Sequence, residues 1–325
     1  MAQINTPTNA LQGATIPTNV GNYLRLMIAT ARNTPQAEGN LTTLFQNDPL
    51  PNHMGTSWNS TKFGTLQAFS LAAGVDMTQQ QALTGTNVSV TPAEVGVQIV
   101  LTRKGVAQWN EDTAERAGIA MRNAMDRKKD TDIGGLFSGF SRRVGAAAAV
   151  FSLGHIGAGI SRLAGGANTT GSAIVAGTGT DVNDGPFLFV ARPESVHHLL
   201  RSLVGGPMAS APTVGTTSPG IEGSGLSQEF ARRGQSKTLG EIGGAMGYRN
   251  ANLAKDTSDD VSGFIGEKGA IVYVPMSYEG LGAGMKDPDP SLRAFEINLV
   301  EDYGFAELDD NKGVELLLDA TPATS

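Results

Sequence analysis

The sequence predicts an α+β fold, and three observations carry that prediction. Apolar and polar residues alternate with period two at Val95, Val97, Ile99 and Leu101, and again at Phe295, Ile297 and Leu299. Between these stretches, residues 106–137 read as one long charged helix. Two short apolar runs, 187–191 and 270–274, read as central strands, and the first runs into a helix. Period-two alternation suits a sheet with one face on a core. A long helix with only a thin apolar stripe suits a spar better than a pocket wall.

Taken in order, residues 1–20 are Thr, Asn, Gln, Gly and Pro with almost no charge, and read as an extended arm without its own core. Tyr23, Leu24, Met27 and Ile28 share a helical face, which predicts a first helix over 19–32, ended by Pro35 and Gly39. Residues 56–102 read as one long hairpin. Its outgoing arm covers 56–71 with Trp58, Phe63 and Phe69, its connection is polar over 75–81, and its return arm starts near Val88. Apolar positions on the return arm are even at Val88 and Val90 and odd from Val95 onward. The switch falls at Pro92, which cannot donate to a ladder and marks a bulge or an edge. A long hairpin with little apolar surface is not stable alone, so it is expected to lie on another surface, such as a neighbouring subunit.

In the helix, Asn110 is a candidate N-cap, with Glu111, Asp112 and Glu115 early and Arg127, Lys128 and Lys129 late. That order complements the helix dipole. Asp112 and Arg116 are spaced to pair, and Gly134 and Gly135 are expected to loosen the helix end. Another helix is predicted over 146–163, diluted by Gly154, Gly157 and Gly159. Gly-rich loops follow at 165–185 and 205–225. Between them, Pro193 opens a helix with Val196, Leu199, Leu200 and Leu203 as its buried stripe. Residues 239–253 read as turns and a strand around Gly243 and Gly244, and Pro275 stops the strand at 270–274. The C-terminus predicts a hairpin: Phe295 to Phe305 on one parity, a turn at 309–313, then Val314, Leu316 and Leu318.

Composition bounds what such a chain does. At 325 residues it can bury a good core, in about two domains. Charged residues are 17% of the chain, below the usual quarter, so much of its polar surface is Thr, Asn, Gln, Ser and Gly. Weakly charged surface is compatible with subunit contact. The net charge of -7 argues against a dedicated nucleic-acid binder. With no cysteine, neither a disulfide framework nor a thiolate metal site can form. The first residues lack the basic and apolar regions of a signal peptide, and no apolar run approaches the ~18 residues of a membrane span. The chain is expected to be made in a cytoplasm and to need no membrane.

No catalytic constellation accompanies these elements, and neither a catalytic residue nor a cofactor nor a metal is expected. Of the four histidines, His197 and His198 follow Glu194, but adjacent histidines diverge around a helix, and no HExxH appears. Gly240–Gly244 and Gly280–Gly284 match neither a P-loop nor GxGxxG and read as turns. The stretch 309–313 lacks the sixth-position glycine and twelfth-position glutamate of a calcium loop. Asp287-Pro288-Asp289-Pro290 reads as a rigid link. Arg127, Lys128, Lys129, Arg142 and Arg143 are the densest basic cluster. They suit a helix terminus that contacts acidic neighbours, or a weak, sequence-independent attraction to nucleic acid.

The order of elements carries a resemblance: an uncharged arm, a long hairpin, a long charged helix, an α/β region and a final strand pair. Residues 87–97 with Leu101-Thr102 look like a hairpin returning into a spine helix, and 129–137 look like the end of that helix. Phe189-Val190-Ala191-Arg192-Pro193-Glu194, Gly240-Glu241-Ile242-Gly243-Gly244-Ala245, Tyr303-Gly304-Phe305 and Gly313-Val314-Glu315-Leu316 complete the set. Together they resemble the major capsid protein of tailed bacteriophages, with its HK97-type fold. The resemblance implies an N-terminal arm and first helix over 1–51, an E-loop hairpin over 52–105 and a spine helix over 106–142. An axial A-domain over 143–274 and peripheral P-domain strands over 275–325 follow. It implies self-assembly into hexamers and pentamers of an icosahedral virion shell around double-stranded DNA, after synthesis in a bacterial host cytoplasm. It also implies scaffold, portal and decoration proteins as further partners, and non-specific contact with packaged DNA.

Candidate subunit contacts are Trp58, Lys62, Gln79, Gln80 and Gln81 on the hairpin. Arg103, Arg122, Arg127, Lys128 and Lys129 are the candidates on and before the helix. The sequence has no long charged N-terminal scaffolding segment, so a separate scaffold or a processed form is expected. Some relatives crosslink a lysine to an asparagine. Lys62 is the single lysine of residues 52–102, no partner is identified, and crosslinking is not carried over. The competing readings are an encapsulin-like shell, a tail or decoration protein, and a Gly-rich α/β enzyme with a pocket between 187 and 274.

Overall fold

A computed structural model describes residues 41–51, 55–63, 85–102, 111–165, 185–204, 238–276, 285–289 and 294–322, with a few single positions besides. The first helix expected over 19–32, the string Gly280–Gly284, and the candidates Gln79, Gln80, Gln81 and Arg103 lie outside these residues.

The described residues form three sheets, one of them a five-stranded sheet around a single long strand. That strand, β12 (Ala294–Glu307), pairs antiparallel with β10 (Ile271–Pro275), β11 (Met285–Asp289) and β4 (Ala93–Thr102). The short β1 (Gln46–Asn47), which follows helix α1 (Leu41–Leu44), adds parallel to β10. Residues 287–289 are not the rigid link that the sequence suggested, and Pro290 lies outside the described residues. Pro288 sits in β11 at the sheet edge, where its missing N–H costs no ladder bond.

The second sheet has six strands in the order β5 (Arg143–Gly145), β13 (Gly313–Asp319), β9 (Asp260–Gly266), β6 (Phe187–Ala191), β8 (Ala245–Arg249) and β7 (Thr238–Ile242). As its unbroken apolar run predicts, β6 is central and buried along nearly its whole length. Gly243 and Gly244 turn β7 into β8 with φ of 62° and 91°, the left-handed pair that a tight hairpin turn requires. Helix α4 (Pro193–Val204) follows β6 and buries Val196 and Leu199.

The third sheet is the hairpin of β2 (Trp58–Phe63) and β3 (Gly85–Val90), paired from Trp58↔Val90 to Phe63↔Gly85. Here the expectation of one hairpin over 56–102 is corrected. The return arm is two strands: β3 stays with β2, and β4 crosses to β12 in register from Ala93↔Tyr303 to Thr102↔Ala294. The parity change at Pro92 is the point where the chain leaves one sheet for another. The expected C-terminal hairpin is corrected in the same way. β12 and β13 do not pair; the turn between them carries the chain from the five-stranded to the six-stranded sheet. β13 is buried on both faces, Glu315 included, as befits an internal strand. Strand β10, read from sequence with the 143–274 stretch, thus lies beside β12, and β13 lies in the other sheet.

Helix α2 (Glu111–Leu136) runs on through Gly134 and Gly135 into a 3-10 turn at Phe137–Gly139, so those glycines do not loosen its end. Gly134 lets Leu253 approach; a Cβ there would lie 2.8 Å from Leu253 Cδ2. The helix expected over 146–163 is shorter. Helix α3 (Leu153–Ala164) begins after Ser152, whose capping box with His155 sets the start. Ala148, with φ of 58°, donates its N–H to Asp260 Oδ1 at 2.7 Å instead of joining a helix. One apolar core joins α1, the end of α2 and the six-stranded sheet. Phe264 stands at its centre, 5.2 to 5.3 Å from the rings of Phe45, Phe137 and Phe140.

Candidate inter-subunit interface and its frame

The inner face of α2 is only half apolar. Met121, Met125, Ile133 and Phe137 are buried at helical spacing, but so are Asp126, Lys129 and Asp130. A helix docked through charges must satisfy each of them, because an unpaired buried charge costs several kcal/mol (~3–5).

Asp130 is 1% exposed and joins three parts of the chain. Its Oδ1 accepts from the backbone N–H of Leu41 at 3.2 Å, and its Oδ2 accepts from Asn250 Nδ2 at 2.7 Å and Asn252 Nδ2 at 2.9 Å. Asn250 in turn donates its backbone N–H to Ala191 at the end of β6, at 3.1 Å. Burial pushes the Asp130 carboxyl pKa up, and the three donors pull it back.

The other side of the helix is sewn to β12. The Lys129 ammonium bonds Glu301 and lies 5.5 Å from the centre of the Tyr303 ring. Arg122 donates to Asp126 Oδ2 at 3.1 Å and to Glu301 Oε1 at 3.3 Å. Burial raises the Asp126 pKa, against the opposing charges of Arg122 and Lys129. Tyr303 donates to Asp132 Oδ2 at 3.0 Å, and Lys128 reaches Asp132 Oδ1 at 2.5 Å. Burial, then the charge of Asp132 and its bond, push the Tyr303 phenol far up. Beneath, Tyr273 and Phe305 stack at 4.9 Å.

The hairpin β2–β3 is held at its root. Trp58 packs on a small cluster of Leu50, Val90, Val272 and Val274. Gly304 on β12 makes room for it, since a Cβ there would lie 2.5 Å from Val90 Cγ1. The Lys62 ammonium bonds Asp309 in the turn after β12. Beyond this root the hairpin turns apolar groups to solvent: Phe63 is 60% exposed, and Leu66 and Leu83 are similar.

The structure thus divides the sequence's contact candidates. Trp58 and Lys62 hold the hairpin to the body, and Arg122 and Lys129 hold α2 to β12. Arg127 and Lys128 are exposed on the helix. The basic cluster is not one patch. Arg142 is buried and donates to the Asn311 carbonyl at 3.0 Å, and Arg143 pairs with Glu315 at 2.5 Å. His155 serves the cap of α3, and His198 Nε2 lies 3.9 Å from Asp319. Among the described residues, no group of three or more His, Asp or Glu side chains is placed to hold a metal, and no helix is long and apolar enough to cross a membrane. Sequence reasoning missed Asp126, Asp130, Asn250 and Glu301. A signal for the first two was present: they are four apart and flank the Met121–Met125–Ile133 stripe.

No protein-family model matches the sequence, and no curated protein does either. Solved structures do match. One is "The head structure of Helicobacter pylori bacteriophage KHP40", with a TM-score of 0.62 at 11% identity over 89% of this chain and 94% of that one. Another is "Capsid of Ralstonia phage GP4", with a TM-score of 0.58 at 13% identity over 88% and 90%. A chain of Mycobacterium phage Che8 matches with a TM-score of 0.56 at 15% identity over 83% and 86%. The fold of this chain is the α+β, HK97-type fold of phage capsid subunits.

Proposed function

We propose that the chain is a major capsid protein that assembles as hexamers and pentamers into an icosahedral shell around double-stranded DNA. The observation that carries this reading is the hairpin β2–β3. It pairs with no third strand among the described residues, is rooted at Trp58 and Lys62, and holds Phe63, Leu66 and Leu83 in solvent. A two-stranded hairpin with an exposed apolar face is stabilised by a surface outside its own subunit. The shared fold with subunits of phage heads supports the same reading.

In this reading the seam of α2 and β12 is the stiff frame and the hairpin is the arm that overlaps a neighbour. Many contacts of modest area, adjustable in angle, suit a shell whose subunits meet in both hexamers and pentamers. Gln79, Gln80, Gln81, Arg103, Arg127 and Lys128 are the proposed direct contacts. Arg122 and Lys129 act by holding the frame. Scaffold, portal and decoration proteins are the further proposed partners, and Arg127 and Lys128 the proposed groups for weak contact with packaged DNA. The chain would be made in a bacterial cytoplasm and reside in the virion; it acts as a structural protein, not as an enzyme.

The variant Phe63→Glu tests the hairpin's part. Sedimentation should show wild-type chain in capsomers or larger particles and the folded variant as a smaller species. Assembly of the variant identical to wild type would contradict the reading.

A further inference from the structure

The five-stranded sheet ends in two unlike edges. β12 carries β4 on one side and β10 with β11 on the other, since Ala294 pairs with both Thr102 and Asp289, and Tyr303 with both Ala93 and Pro275. The β11 edge is 5 residues long and holds Lys286, Asp287, Pro288 and Asp289. Shortness, charge and proline are what keep a sheet edge from pairing with another chain. β4 has none of them. It is 10 residues long, runs in unbroken register on β12, and from Val95 to Thr102 holds neither a charge nor a proline. Among the described residues no strand lies on its other side, whereas the outer strands of the six-stranded sheet are only 3 and 5 residues long. Burial agrees. Ile297 and Leu299 of β12 are 3% exposed, while their β4 partners Ile99 and Val97 are only half-buried. The apolar row of the sheet runs on to β4 and stops there uncovered, where one more strand would bury it.

We propose that the free edge of β4 pairs antiparallel with the same edge of a second copy across a two-fold axis, making one continuous sheet of two, and that this contact joins one ring of subunits to the next. The strand fits its own copy. Its apolar residues hold odd positions, and a two-fold axis at Gln98 sets position 97 against 99 and 95 against 101, so apolar meets apolar on one face. Glu94, its one charge, falls opposite position 102 of the second copy, so no two carboxylates meet.

The area of this contact decides where it acts. A strand of this length is about 33 Å long at ~3.3 Å per residue, and a sheet is ~10 Å thick, which gives about 330 Å² per copy and roughly 700 Å² in all. A stable dimer needs ~1,200 Å², so the edges pair where other contacts already hold the copies together. A ring closes through two unlike surfaces, whereas a like-to-like contact sits on a two-fold axis and joins two rings. The inference rests on the capsid reading and adds to it the contact between rings, which the hairpin does not supply.

The chain has no cysteine, so a single introduced thiol reports on its own neighbour. Gln98 is exposed, and Gln98→Cys sets two thiols within disulfide reach at the centre of the paired edges. Particles of the full chain, oxidised and run on a non-reducing gel, should give a disulfide dimer several-fold stronger than particles of Ser161→Cys, an exposed position on α3. A Gln98→Cys dimer no stronger than that of Ser161→Cys would overturn the pairing, as it would if another segment of the chain covered the edge. Particles that form without the cross-link overturn this contact and leave the capsid reading standing; no particles under any condition overturns both. Should Gln98→Cys not fold, Val100→Lys takes its place. Val100 is 48% exposed, so the lysine should leave the thermal midpoint unchanged and lower the yield of closed particles several-fold. An unchanged yield would overturn the pairing.

Discussion

Asp130 illustrates how a single side chain sets the geometry of the frame. It accepts from the start of α1, from Asn250 and from Asn252, so α2, α1 and the segment after β8 meet on one carboxylate. Removing it leaves three donors without an acceptor, against which stands the relief of no longer burying a charge. Asp130→Ala is expected to destabilise the chain by about 2–3 kcal/mol in urea unfolding. Asp130→Asn keeps one acceptor oxygen and is expected to cost less. Because burial raises its pKa, the proton-linked part of the stability is complete below the ordinary carboxylate range and is lost as pH rises through the folded value, while the three hydrogen bonds remain. The Asn variant should flatten that part of the pH–stability curve. Little of this was legible in the sequence. Asp126 and Asp130 lie on the apolar stripe, which is a visible oddity, but their partners are more than a hundred residues away and only the fold brings them near.

At the scale of elements, what was legible is what local pattern dictates. The alternation of β4, the apolar run of β6, the Pro193 start of α4 and the Gly243–Gly244 turn all follow from spacing and backbone preference. Pairing partners were not legible, because a strand's pattern says which face is buried and not which strand lies beside it. Hence the return arm and the C-terminal strands were each joined to the wrong neighbour, although the parity change at Pro92 marked where one sheet ends. The two glycines of α2 show the same limit. Nothing lies within 4 Å of a Cβ built on Gly135, whereas Gly134 faces Leu253 at 2.8 Å. Gly135→Ala should stabilise the chain by about 0.5–1 kcal/mol through helix propensity, and Gly134→Ala should gain less or lose stability. Thermal unfolding of the two variants, side by side, checks the contrast.

Across the whole molecule, the aromatic cluster around Phe264 joins the beginning of the described chain, the spine helix and the six-stranded sheet into one core. The charged seam of Arg122, Lys129, Glu301 and Tyr303 then fixes the five-stranded sheet to the same helix. Against this body the hairpin stands apart, held at its root and apolar in its exposed part. On the function proposed above, this body completes itself on its neighbours through the hairpin's exposed apolar residues. The direct test is negative-stain electron microscopy of the expressed, purified chain across a range of salt and protein concentration. Rings of five or six subunits, or closed shells of uniform size, are the predicted result; monomers or dimers under every condition would contradict it.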